Sequence, residues 1–205
     1  MKTKLTLIAL VIVSLTTFAF TGCDSAYAAV SENRIVHENF YGLILQTNAR
    51  VILNQGTETS VRVEGDETSV ASVQTTVENG ALVIKSKDEV FATIYVTVDD
   101  INLIEVNGNG KIISNQPINS DMLLLKVVGS GSINIDVRSL SLGMIVKGSG
   151  KIYAKGSTVD SYVRVYGSGR VNSIDLDSLK KLTEANNETL DSKKPGKHSP
   201  LKLHR

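Results

Sequence analysis

The chain has a single cysteine, Cys23, so no internal disulfide can staple it, and packing and hydrogen bonding must hold the fold. Histidine is nearly as scarce. His37, His198 and His204 stand at the start of the candidate domain and near the C-terminus, and no Ser-His-Asp arrangement or zinc triad follows from that spacing. Adjacent acids are confined to Asp66-Glu67, Asp88-Glu89 and Asp99-Asp100, each where a solvated turn is expected. Acids and bases converging on a groove, as in polysaccharide-cleaving β-helices, are missing. Aromatic residues make up only 5% of the chain, and no basic stripe is interleaved with them, which argues against nucleic acid as a partner. Gly148-Ser149-Gly150-Lys151 matches only the end of a phosphate-binding loop, whose pattern also needs glycine at Ile145 and a hydroxyl at Ile152. These absences describe a protein that is not an enzyme and carries no cofactor or metal.

A long apolar run is present only at the N-terminus, where Lys2 and Lys4 precede the uncharged stretch from Leu5 to Phe20. That stretch is short for a membrane span, and it reads as a secretory signal. Two processing sites overlap. Ala26-Tyr27-Ala28 before Ala29 suits ordinary signal peptidase, giving a signal peptide over 1–28. Ala19-Phe20-Thr21-Gly22-Cys23 resembles a lipobox, which would end the signal at 22 and place acyl chains on Cys23. The lipid would then anchor the protein to a membrane without threading it through. At the other end, Lys180, Lys181, Lys193, Lys194, Lys197, Lys202 and Arg205 outnumber Glu184, Glu188 and Asp191. The preceding domain is net acidic, and Pro195, Gly196 and Pro200 follow the last apolar alternation, so 179–205 is expected as a flexible basic tail.

Between these ends, over 29–178, the dominant pattern is alternation with period two, the mark of strands. Val61-Arg62-Val63-Glu64 and Ile94-Tyr95-Val96-Thr97-Val98 show it, and Asn79-Gly80 between two apolar runs predicts a hairpin. Only Asp66 to Val73 suggests a helical turn, with Asp66 as its cap. The class is all-β.

Four segments then repeat without gaps: Glu105 to Ile112, Lys126 to Ile133, Ile145 to Ile152 and Arg164 to Val171. Their paired glycines, Gly108 and Gly110, Gly129 and Gly131, Gly148 and Gly150, Gly167 and Gly169, recur at spacings of 21, 19 and 19 residues. A fixed period near 20 is a solenoid signature, since one coil buries its apolar face only against its neighbours. Parity predicts inward columns at Val106, Val127, Val146 and Val165, at Ile112, Ile133, Ile152 and Val171, and at Ile104, Leu125, Met144 and Val163. All eight glycines share that inward parity and are expected at a corner of the coil.

The V-x-G-[SN]-G-x-[IV] segments, with Val61-Arg62-Val63-Glu64-Gly65 and Asn79-Gly80-Ala81-Leu82-Val83-Ile84, make the stretch from His37 to Ser178 resemble the head GIN domain family of autotransporter adhesins, a domain of unknown function. The resemblance implies a right-handed parallel β-helix-like solenoid of about 19–21 residues per rung at the cell envelope, and it transfers no catalytic residues. The first copy departs from the motif at Asn109, and its rung is longer by two residues. By parity, Ser130, Ser149 and Ser168 form an outward column, with Lys151 and Arg170 on one side and Tyr166 on the other, and Tyr153 near by. Hydroxyls, rings and cations in that arrangement suit a glycan or an envelope protein. The alternatives are a structural or stress-related periplasmic protein without a ligand and, more distantly, an enzyme acting on polysaccharide.

Overall fold

The computed structural model describes residues 29–35, 39–185 and 190–191; both signal-processing sites, Cys23, the three histidines and most of the basic tail lie outside them. In chain order the elements are β1 (Val30–Arg34), β2 (Gly42–Gln46), β3 (Arg50–Gln55), β4 (Ser60–Gly65), α1 (Glu67–Ser72), β5 (Gln74–Glu78), β6 (Ala81–Lys85), β7 (Ala92–Val98), β8 (Leu103–Gly108), β9 (Lys111–Ser114), β10 (Ile118–Gly129), β11 (Ser132–Gly148), β12 (Lys151–Tyr166), β13 (Arg170–Asn172), β14 (Leu176–Ala185) and β15 (Leu190–Asp191). The result is all-β, a solenoid-like arrangement of about four turns.

Three walls run along the stack. The first holds β6, β2, β8 and the C-terminal parts of β10, β11 and β12, all parallel, followed by β14. The second holds β7, β3, β9, the starts of β11 and β12, then β13 and β15. The third begins only at Ile118, which pairs with Val137, itself paired with Gly156 and that with Leu176. Chain order and stacking order differ, because β2–β3 lies between β6–β7 and β8–β9. No glycine repeat marks those early rungs, so sequence periodicity is blind to them.

All three predicted inward columns are buried. Each fully buried aliphatic side chain contributes about 1.5–3 kcal/mol before ordering entropy is subtracted. The Asn79-Gly80 hairpin forms, with Asn79 at φ 52° and Gly80 at φ 74° joining antiparallel β5 and β6. The two extra residues of the long rung fall between β9 and β10, at Asn115 to Pro117, where later rungs run straight through. Near this gap, among the described residues, the third wall has no strand before β10. The Gln55 side chain substitutes for one: its Nε2 donates to the Asn119 carbonyl at 2.9 Å and its Oε1 accepts from the Asn119 N–H at 2.8 Å.

The two ends are finished differently. At one, β4 pairs antiparallel with β7 and β1 with β4, while α1 brings Val70, together with the following Val73, into the core. Asp66 caps α1 by accepting from the Ser69 amide at 2.9 Å and hydroxyl at 2.6 Å, and these bonds hold its carboxyl below the usual carboxylate range. At the other end, β14 extends the parallel ladder to Ala185, so the first residues of the segment expected as a tail belong to the coil.

Candidate binding surface

The corner between the first and second walls is built by the repeated glycines, whose two members do different jobs. The first of each pair takes a positive φ, 111° at Gly129 and 115° at Gly148, a region open to glycine and strained for other residues. This turn ends the strand's alternation. Gly108, Gly148 and Gly167 are therefore exposed and Gly129 half-buried, a correction to the inward parity expected of them. The second glycine of each pair is buried because the neighbouring rung leaves no room. A Cβ on Gly150 would lie 2.4 Å from Val127 Cγ1 and 2.7 Å from the Gly131 carbonyl oxygen.

Backbone groups at this corner are satisfied between rungs. The Gly108 carbonyl accepts from the amides of Ser130 (2.9 Å) and Gly131 (2.7 Å), and the Gly129 carbonyl accepts from those of Ser149 (3.0 Å) and Gly150 (2.8 Å). With its amides bonded to the neighbouring rung, the edge presents the exposed side chains of Asn109, Ser130, Ser149 and Ser168.

The predicted surface residues divide between two walls. Lys151 pairs in register with Arg170, and Tyr153, 42% exposed, lies on the same wall between Asn134 and Asn172. Tyr166, equally exposed, lies on the first wall in register with Lys147, whose Nζ sits 5.9 Å from the ring centroid, within cation–π reach. The structure thus gathers Lys151, Arg170 and Tyr153 on one side of the serine edge and places Tyr166 on the other.

Sequence reasoning missed Arg50, which joins the Lys111 column through the β3–β9 ladder. Two further features follow the same 19–20-residue period and were legible in principle. Ser120, Thr158 and Ser178 each donate a hydroxyl to the carbonyl two residues on, at 3.0, 3.0 and 2.9 Å, and Ser139 donates to Thr158. Beside them Leu140, Val159 and Leu179 stand exposed at equivalent corner positions. Asp99 and Asp100 are exposed and line separate shallow grooves, Asp99 beside Arg138 and Asp100 beside Asp121. Among the described residues no group of three or more His, Cys, Asp and Glu side chains is placed to hold a metal, and no helix is long and apolar enough to cross a membrane.

Residues 39–185 match the family model described as "Putative auto-transporter adhesin, head GIN domain". No curated protein matches the chain. Among solved structures, a putative adhesin from Bacteroides fragilis is similar at TM-score 0.72 and 19% identity, covering 77% of this chain and 76% of that one. A putative adhesin from Parabacteroides distasonis gives 0.60 and 16%, covering 77% and 78%. A putative lipid binding protein from the same organism gives 0.62 and 16%, again covering 77% and 78%. At these identities the likeness is one of fold.

Proposed function

Since the chain belongs to the head GIN domain family of auto-transporter adhesins, we propose that it is an exported, non-catalytic adhesin or interaction module of the cell envelope. Its binding surface is the serine edge with the walls beside it. Export rests on the signal over 1–28, and the lipobox reading makes Cys23 the anchor that keeps the solenoid at a membrane. The partner class is a glycan or an envelope protein.

The observation that carries this reading is the in-register edge of Ser130, Ser149 and Ser168 flanked by Lys151, Arg170, Tyr153 and Tyr166, all exposed. A rigid coil fixes these groups without further ordering, so a ligand meets a preorganised surface. Replacing Tyr153 and Tyr166 with Ala and Lys151 and Arg170 with Gln is expected to lower adhesion of the chain to cells or immobilised glycan at least about tenfold with an unchanged melting curve. Unchanged adhesion would overturn this surface and favour a periplasmic structural role.

A further inference from the structure

Three of the solenoid's stacked cations are neutralised from the neighbouring rung. Lys126 meets Glu105 at 2.9 Å, Lys155 meets Asp136 at 3.5 Å and Arg164 meets Glu184 at 3.1 Å, each pair being in register across adjacent strands. One column instead stacks cation on cation. Along the second wall Arg50, Lys111, Ser132, Lys151 and Arg170 stack in register on five successive rungs. Arg50, Lys151 and Arg170 are exposed and Lys111 is half-buried. Among the described residues none of the four cations has a carboxylate partner. Like charges on neighbouring strands destabilise a sheet, so this wall bears a repulsion that the others avoid.

We propose that this column is a track for an acidic polysaccharide lying along the stack axis, a deepening that rests on the reading of the adjacent edge as a binding surface. At a strand spacing of about 4.8 Å the track is about 19 Å long and one side chain wide. Those proportions fit a single linear chain better than a duplex or a membrane surface. The next outward column supplies what a sugar backbone needs: Asn134, Tyr153 and Asn172 follow one another in register, giving amides and an exposed ring alongside the charges. Lys147 flanks the edge from the other wall, over the Tyr166 ring.

The test is binding of the full chain to polygalacturonate and dextran sulfate, with neutral dextran and single-stranded DNA as comparisons, over a range of salt. Both acidic polysaccharides are expected to bind and neutral dextran not to. The double variant Arg50→Gln/Lys111→Gln, which touches none of the residues carrying the adhesin reading, is expected to bind about tenfold more weakly. Its log affinity should fall with log salt by a slope shallower by about one per cation removed. Ser132→Lys fills the gap in the column and should tighten binding several-fold, which keeps the proposal testable if the double variant folds poorly. Full affinity in Arg50→Gln/Lys111→Gln overturns the track and leaves the adhesin surface standing. DNA bound as tightly as polygalacturonate overturns the assignment to polysaccharide.

Discussion

One end of the solenoid is covered and the other is made polar, and the difference shows two solutions to one problem. A stack of coils has apolar interior positions and unpaired backbone at its last rung, and both invite association with another chain. At the β6–β7 end the chain folds back antiparallel. β4 and β1 extend the second wall, β5 extends the first, and α1 brings Val70 and the residue after it, Val73, into the core. At the β13–β14 end the interior itself changes. One inward column runs Leu123, Leu142, Ser161 and ends at Lys181, which is exposed, and another runs Ile135, Ala154 and then the buried Ser173. Lys181 donates to Ser173 Oγ at 2.8 Å, and Ser161 and Ser178 are bonded at 3.0 Å. A lysine in that position is tolerable because it is the last and stays exposed; two rungs deeper, at Leu142, it would sit in the apolar core.

The largest effect should come from moving the polar solution inward. Leu142→Lys, two rungs from Lys181 in the same column, buries an unpaired ammonium and should destabilise the fold by more than about 3 kcal/mol in chemical denaturation. A small loss would mean that the column is wet throughout. Reversing the polar end gives a smaller change. Lys181→Met should gain stability, by less than about 1 kcal/mol, and raise self-association seen by sedimentation.

The same lysine has a pH signature. Partial burial lowers its pKa below the ordinary 10.5, so between the folded value and 10.5 the unfolded chain binds more protons and stability rises with pH. That alkaline rise should vanish in Lys181→Met. The smallest effect belongs to the covered end. The Asp66 carboxyl is held below its ordinary 3.8 by the Ser69 bonds, so its contribution is full above that pH and is lost as pH falls through the lower, folded value. Asp66→Ala should flatten acid unfolding below about pH 4, and an unchanged acid profile would show that the cap contributes nothing.

Much of this architecture was written in local pattern. The inward columns followed from strand parity, the hairpin from Asn79-Gly80, and the helix start from Asp66 as a capping residue. Parity failed at Gly108, Gly148 and Gly167 for a definite reason: a positive φ turns the chain out of the strand's two-fold alternation. The binding surface was half legible. Lys151, Arg170 and the serines lie within the repeat, so their stacking could be counted, whereas Arg50 belongs to a rung without the glycine motif. That rung's neighbours are set by β2–β3 inserting between β6–β7 and β8–β9.

The strand class, the rung length and the core-facing side chains could be read from local pattern, because they depend on the two-residue alternation and the twenty-residue repeat. How the early rungs stack, which end is covered, and that Arg50 joins a row of cations without carboxylate partners emerge only in the folded chain. Those depend on contacts between residues far apart in sequence, where no period connects them and only packing and strand pairing choose the neighbours.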